Sequence, residues 1–267
     1  MEKRAPKERG PFRAEHLRSG DRYELHDGNA IYCAPTGGRG AGSNLIGGAV
    51  IFSDPMVENA GVDPGFAISP GTMRAPDVAV IPKNPGPGWL PGVPPLAIEY
   101  ADTGQDEAGL TLKIQDLLTA GTRWVWVVRL SGIPHVEVHA AGVAPVIANA
   151  GSILEAPGVL ANPIPIEALW NASSAQPVIL RNLLQREGYT GLDAVREEGL
   201  EQGIEQGIEQ GIERGALSAG RAAVVTTLRA LGRSLAEGDD AWLQAAGRVE
   251  LDAALVRVVT GGAVRPG

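Results

Sequence analysis

The middle of the sequence holds four short apolar blocks of β-strand length, rich in Val, Ile and Trp. The blocks cover residues 78–81, 96–100, 124–128 and 135–139. Between the second and third blocks, apolar residues follow helical spacing at Leu110, Ile114, Leu117 and Leu118. Gly121 then stands where the end of a helix is expected. This order predicts an α/β fold in which the helix crosses over between two strands of one mixed sheet.

The segments around these blocks contain strong turn and loop signals. Residues 22–34 have an Asp-Gly pair between two runs that favour strands, which predicts a hairpin. Residues 35–48 are glycine-rich, and we expect a helix or strand there only from Asn44 onward. This segment lacks the Lys-Ser/Thr pair of a phosphate-binding P-loop. Residues 82–95 are rich in proline and predict a surface loop.

Composition excludes several classes of protein. With 44% hydrophobic and 20% charged residues, the 267-residue chain has a globular balance, which argues against collagen and wholesale disorder. Cys33 is the only cysteine, so a disulfide scaffold is excluded and a reducing compartment suits the chain. The sequence has no run of 18 apolar residues and no secretory signal pattern. We therefore expect a cytoplasmic protein that makes no use of a membrane.

Charge is distributed unevenly along the chain, whose net charge is -8. Residues 1–22 contain seven Lys or Arg and four Asp or Glu, whereas residues 187–213 contain eight Asp or Glu and one Arg. An acidic chain of this kind is unsuited to coating nucleic acid continuously, because such proteins bind phosphates through many clustered cations. The acidic pI therefore describes the C-terminal region more than the body of the protein.

The C-terminal region contains a Gly-Ile-Glu-Gln repeat with a period of four residues. On a helix, each repeat advances by about 40°, so the apolar series spreads over about 120° of one face. That series consists of Leu200, Ile204, Ile208 and Ile212. The interleaved glycines oppose an isolated helix. We therefore expect this helix to pack against the same segment of another subunit in a homo-oligomer; the alternative is a solvated spacer.

Three residues combine the chemistry of a hydrolytic site. Asp77 precedes one apolar block, Glu99 interrupts the next, and Lys113 lies on the helix that follows. A lone carboxylate in a buried strand is unfavourable, so Glu99 needs a partner or a metal. Two carboxylates at one end of a sheet are oxygen ligands that suit Mg²⁺, and a nearby ammonium stabilises developing negative charge. The pattern predicts metal-dependent phosphodiester hydrolysis.

The chain also resembles a known family, in the order and approximate spacing of its motifs. The matching segments are Tyr23-Glu24-Leu25 with Asp27-Gly28, residues 75–80, residues 95–100, Lys113 with Ala120-Gly121, and residues 124–128. In these it is similar to the Uma2-type (DUF820) endonucleases of the PD-(D/E)XK restriction-endonuclease-like superfamily. The resemblance implies Asp77 and Glu99 as ligands of Mg²⁺ or Mn²⁺, Lys113 as the active-site lysine, and Glu24 as an additional acid.

Two functional hypotheses follow. The first is a metal-dependent endonuclease that acts on DNA; the alternative is a catalytically impaired nuclease-fold protein that serves as a binding or assembly module. We expect a restriction-endonuclease-like core, a mixed central sheet flanked by helices, with a helical C-terminal extension. The predicted domains are a basic N-terminal arm at 1–21, a nuclease-like domain at 22–178 and a helical region at 179–267.

Overall fold

The structure is a computed structural model and describes residues 10–266. The chain separates into two compact units, Met1–Gly191 and Leu192–Gly267. The domain boundary predicted after residue 178 falls inside a helix of the first unit, which ends at Arg186. Residues 1–9 of the predicted basic arm lie outside the described residues.

All strands of the described chain belong to the first unit. In chain order they are β1 (Tyr23–His26), β2 (Asn29–Tyr32), β3 (Ala60–Val62), β4 (Phe66–Ser69), β5 (Thr72–Arg74), β6 (Val78–Val80), β7 (Leu90–Pro91), β8 (Leu96–Ala101), β9 (Trp124–Arg129), β10 (His135–His139), β11 (Val146–Ala148), β12 (Ile153–Leu154) and β13 (Ile164–Pro165). They form a five-stranded sheet in the order β2-β1-β5-β4-β7 and a six-stranded sheet in the order β11-β10-β9-β8-β6-β3. Strands β12 and β13 form a separate ribbon.

Among residues 10–266, three α-helices belong to the first unit and three to the second. Those of the first unit are α1 (Gly38–Ser53), α2 (Glu107–Thr119) and α3 (Ala172–Arg186). Those of the second unit are α4 (Leu192–Ala230), α5 (Asp239–Ala245) and α6 (Arg248–Val259). Short 3-10 turns occur at Ala14–His16 and Ile166–Leu169.

The six-stranded sheet is mixed, with helices on both faces, and this confirms the predicted α/β fold. Strand β8 runs parallel to β9 and antiparallel to β6. Helix α2 makes the crossover between the two parallel strands, as the sequence predicts. It covers the face that carries Ala97 and Val127, whereas α1 and α3 cover the face that carries Ile98 and Trp126.

Local sequence signals account for the turns that frame this core. Asp27 and Gly28 have φ values of 47° and 76°, the combination that a two-residue hairpin turn of type I′ requires. The predicted hairpin is therefore confirmed as β1 and β2. Helix α2 begins where the side chain of Asp106 accepts a hydrogen bond from the Gly109 N–H, and Gly121 follows its end with a φ of 113°.

Helix α1 corrects one expectation. We expected regular structure in the glycine-rich segment only from Asn44, yet the helix begins at Gly38. Close packing explains the glycines: a Cβ on Gly47 would overlap the hydroxyl group of Tyr100, and one on Gly48 would lie 3.3 Å from Val62. Glycine has a low helical propensity, but the close contact of α1 with the sheet requires glycine at these positions.

The second unit consists of α4 and two shorter helices. The C-terminal part of α4 buries Val224 and Leu228 against residues of α5 and α6, including Leu243 and Val258. In contrast, residues 195–215 of α4 are exposed. Within residues 10–266, no helix combines the length and apolar character that crossing a membrane requires.

Candidate active site

Asp77 immediately precedes β6, and Glu99 lies on the neighbouring antiparallel strand β8. Val78 pairs with Ile98 across β6 and β8, so the same register, extended by one residue, places Asp77 opposite Glu99. Residues opposite each other in an antiparallel pair share a face of the sheet. The Asp77 carboxylate also accepts a hydrogen bond of 2.7 Å from the Tyr100 N–H. Glu99 lies between Ala97 and Ala101 on the alternating face that α2 covers, and Asp77 lies next to it at the start of β6.

Helix α2 brings Lys113 to the same place. Its apolar residues Leu110, Ile114 and Leu117 pack on the sheet, which positions the lysine at the edge of the packed stripe. Lys113 Nζ lies 2.9 Å from carboxylate oxygens of both Glu24 and Glu99. It also donates a hydrogen bond of 2.7 Å to the carbonyl oxygen of Ala75. The ammonium group is thus held between two carboxylates and the backbone.

Glu24 on β1 uses both of its carboxylate oxygens for contacts within the protein. One oxygen accepts a hydrogen bond of 3.0 Å from Arg74 Nη1, and the other accepts one of 3.1 Å from the Ala75 N–H. The second oxygen is also the one that contacts Lys113. Glu24 therefore holds the lysine in position, and its oxygens are already committed.

A further ion-pair network adjoins Glu24, and the sequence patterns did not predict it. Arg74 is 1% exposed, and its Nε and Nη2 atoms lie 2.8 and 2.6 Å from Asp116 Oδ2. His26 Nδ1 lies 2.9 Å from the same oxygen. One signal was available: Asp116 follows Lys113 by three residues, which places both on one side of α2. Arg74 offered no comparable signal.

Burial and mutual charge shift the pKa values of these groups. Burial, together with the charges of Asp77 and Glu24, raises the pKa of Glu99 to about 8 although Lys113 opposes the shift. Burial likewise raises the pKa of Asp77. Burial lowers the pKa of Lys113, but the surrounding carboxylates more than offset this and hold it above its ordinary value. For Glu24, Lys113 and Arg74 outweigh burial and lower the pKa.

The residues present fit a divalent cation. The connected network contains four carboxylates and two cationic side chains, so it carries excess negative charge; the carboxylates are Glu24, Asp77, Glu99 and Asp116. Glu99 Oε1 is buried and receives no aligned hydrogen bond from residues 10–266, although it lies 2.9 Å from Lys113 Nζ. Carboxylate oxygens are the ligands that Mg²⁺ prefers. Asp77 and Glu99 are therefore the residues that would hold the ion.

The described part of the chain contains no group of three or more His, Cys, Asp or Glu arranged to hold a metal ion. A cation at this site would thus take two carboxylates from the protein and complete its shell with other oxygens. Such a small number of carboxylates is usual for Mg²⁺, which keeps several waters and substrate oxygens.

An open cleft of about 590 Å³ adjoins these residues. Asp77, Glu24 and Lys113 line it, whereas Glu99 is covered by its neighbours and does not. The aromatic residues Tyr23 and Trp89 line other parts of the wall. The volume is within the range of pockets that hold small molecules or parts of larger ones.

The mixed sheet, its flanking helices and the adjoining acids and lysine define a nuclease-like α/β domain. The sequence matches the Uma2 family, described as "Putative restriction endonuclease", over residues 12–160, which is more than half of the chain. The chain belongs to this family, as the motifs predicted.

A solved structure supports the fold assignment. The chain is similar to a putative nuclease belonging to DUF820 from Anabaena variabilis ATCC 29413, whose crystal structure was determined at 1.96 Å resolution. The TM-score is 0.53 at 17% sequence identity, and the match covers 61% of this chain and 99% of that one. No curated protein matches the sequence.

Proposed function

We propose that this protein is a metal-dependent endonuclease that hydrolyses phosphodiester bonds of DNA. The observation that carries the proposal is the convergence of Asp77, Glu99 and Lys113 beside an open cleft. Family membership supports a nuclease-like function. The choice of DNA, and of Mg²⁺ or Mn²⁺ as the cofactor, is our proposal.

Each side chain of the site has a separate role in the proposed reaction. Asp77 and Glu99 supply carboxylate oxygens for the cation, which when bound polarises a phosphoryl oxygen and lowers the pKa of water. Lys113 keeps a positive charge where the phosphate oxygens gain negative charge during attack, so it stabilises that charge. Glu24 keeps Lys113 protonated and in place, and Arg74 anchors Glu24.

One observation favours the second candidate, a catalytically impaired nuclease-fold protein that acts as a binding or assembly module. A lysine ammonium has three N–H groups, and Lys113 has three acceptors in Glu24, Glu99 and the Ala75 carbonyl. To contact a phosphate, Lys113 must release or share one of them. If it stays fully engaged, the site binds a cation and lacks the charge that supports hydrolysis.

Cleavage of supercoiled plasmid DNA separates the two candidates. With Mg²⁺ or Mn²⁺ we expect nicking by the wild-type protein and a loss of about 100-fold or more for Asp77→Asn, since even outer-shell substitutions reach this range. Asp21→Asn is the matched control, because Asp21 lines the same cleft and its carboxylate accepts a hydrogen bond from the Arg18 N–H, away from the Lys113 network. Mn²⁺ binding without any cleavage by the wild-type protein would favour the binding module.

We also propose that α4 pairs with α4 of a second copy of the chain. Leu200, Ile204, Ile208 and Ile212 are 54–68% exposed in this helix. Light scattering of the full chain should give more than the monomer mass, and the Ile204→Ser/Ile208→Ser double variant should shift it toward the monomer. Ile133→Ser, which changes an isoleucine that is 82% exposed outside the repeat, should leave the mass unchanged. A monomeric wild-type chain would contradict the proposal.

A further inference from the structure

Asn44 is a buried polar residue whose side-chain oxygen has no partner. The residue is 6% exposed, and its Oδ1 atom makes no hydrogen bond within residues 10–266. Its Nδ2 atom donates a long hydrogen bond of 3.4 Å to Asp77 Oδ1. Asn44 also lines the cleft that contains Asp77 and Lys113. A buried amide oxygen without a partner is unfavourable, so this arrangement points to a ligand that supplies one.

The close packing of α1 on the sheet explains how Asn44 reaches the site. Gly47 and Gly48 let the helix approach Tyr100 and Val78, and Asn44 lies one turn earlier on the same side. Tyr100 in turn donates its N–H to Asp77. Asn44 lies on α1 and Asp77 lies at the start of β6. Two different elements of the fold thus hold these side chains next to each other.

The orientation of the amide follows from its neighbour. Turning the group over would direct its oxygen at the Asp77 carboxylate oxygen, and two acceptors would face each other. With Nδ2 toward Asp77, the oxygen is the free end. An amide oxygen is a neutral ligand that Mg²⁺ and Mn²⁺ accept beside carboxylates. It is therefore suited to a site whose carboxylates already carry excess negative charge.

We propose that the side-chain oxygen of Asn44 is a third protein ligand of the divalent cation at Asp77 and Glu99. This inference rests on the proposed function, because it takes the cation site as given. It adds an oxygen donor from α1 to the two donors from the sheet. The same residue then fixes where the cation lies along the Asp77 side of the cleft.

Calorimetric titration of the metal-free full chain with Mn²⁺ tests the proposal. We expect Asn44→Ala to weaken binding by about 10-fold or more, whereas Asn44→Asp keeps an oxygen and binds at least as tightly as the wild type. Ser43→Ala is the matched control: Ser43 is the preceding buried residue of α1, and its hydroxyl donates a hydrogen bond to the Arg39 carbonyl of its own helix. It should bind Mn²⁺ like the wild type. Asp77→Ala should abolish binding.

Thermal unfolding separates a ligand from a structural residue. In EDTA, Asn44→Ala should unfold close to the wild-type temperature, because removal of the unpartnered buried oxygen offsets the loss of the long hydrogen bond to Asp77. With Mn²⁺ it should show a smaller stabilisation than the wild type, since a weaker ligand stabilises the folded state less.

Wild-type Mn²⁺ affinity in Asn44→Ala, together with lost binding in Asp77→Ala, would overturn the role of Asn44 and leave the proposed function intact. Absence of Mn²⁺ binding by the wild type would overturn both. An Asn44→Ala protein that is less stable in EDTA but binds Mn²⁺ normally would make Asn44 a packing residue.

Discussion

Two helices of this protein, α1 and α4, are rich in glycine, and they use it differently. In α1, the hydrogens of Gly47 and Gly48 face the sheet, where a side chain would collide with Tyr100 or press on Val62. In the repeat of α4, a Cβ built on the glycines would meet no described atom within 4 Å apart from the adjoining residues and backbone of its own helix; these glycines are Gly199, Gly203, Gly207, Gly211 and Gly215. The role of a glycine in a helix can thus be interpreted only when the atoms that it faces are known.

The charged residues of the two units differ in the same way. In the first unit, carboxylates around α2 share Lys113 and Arg74, and each ion pair is largely shielded from water. In α4, the glutamates of the repeat are exposed and follow each other at a spacing of four residues. Buried pairs are sensitive to the loss of one member, whereas exposed charges on a helix are weakly coupled. The comparison predicts large effects in the first unit and small ones in α4.

The largest difference should come from removing an arginine. Arg74→Ala leaves the buried Glu24 and the partly buried Asp116 without their shared cation, so we expect a loss of about 3–5 kcal/mol in the free energy of unfolding. Arg196→Ala removes an exposed pair with Asp193 and should have no measurable effect. Urea denaturation measures both. Equal stability of the two variants would mean that the Arg74 network does not hold the fold together.

The glycines themselves should give the next largest difference. Gly47→Ala forces a methyl group against Tyr100, and we expect a loss of about 1–3 kcal/mol. Gly207→Ala meets nothing within its chain and should instead stabilise the helix by up to about 1 kcal/mol.

Adding Tyr100→Phe removes the hydroxyl that collides with the new methyl group, so it should cost less in the Gly47→Ala background than in the wild type. Additive effects would show that the clash is absent. A destabilising Gly207→Ala would show that another chain packs against that glycine.

The titration of Glu99 should give an effect that is spread over several pH units. Its pKa is raised from 4.5 to about 8, so between these values the folded chain holds more protons than the unfolded chain. Stability of the metal-free protein should therefore fall as the pH rises from about 4.5 to 8, by at most about 1.4 kcal/mol per pH unit. Glu99→Gln should reduce this slope. Glu205→Gln, in the exposed repeat, should leave it unchanged; the same slope in all three proteins would assign it to other groups.

Sequence patterns predicted the parts of the fold that depend on near neighbours. The strand blocks, the crossover helix and the Asp27-Gly28 hairpin follow from periodicity and turn chemistry within a few residues. Helix α1 does not, because the residue that requires its glycines, Tyr100, lies far along the chain. The propensities of the single residues therefore disfavour α1, whereas tertiary packing on the sheet stabilises it.

The residues of the candidate site likewise fall into two groups, those that the sequence predicts and those that it does not. Asp77, Glu99 and Lys113 could be singled out because each interrupts or ends an apolar pattern, and Glu24 came from the family resemblance. Arg74 and Asn44 could not be found this way. The partners of Arg74 are 42 and 50 residues away, and Asn44 contacts a residue 33 positions later. Only the folded chain brings such residues together.

The smallest expected effect concerns the row of glutamates in α4. Glu205 has like-charged neighbours four residues away in both directions, Glu201 and Glu209. Glu205→Gln should therefore stabilise α4 by a few tenths of a kcal/mol, about 0.2–0.5 per pair, as measured by thermal unfolding followed through helical circular dichroism.

The gain in stability should vanish in 1 M salt, where charges are screened within about 3 Å. If two copies pair in parallel, they bring both acidic rows together, and the gain should grow with protein concentration. A gain that persists in 1 M salt would contradict charge repulsion as its cause.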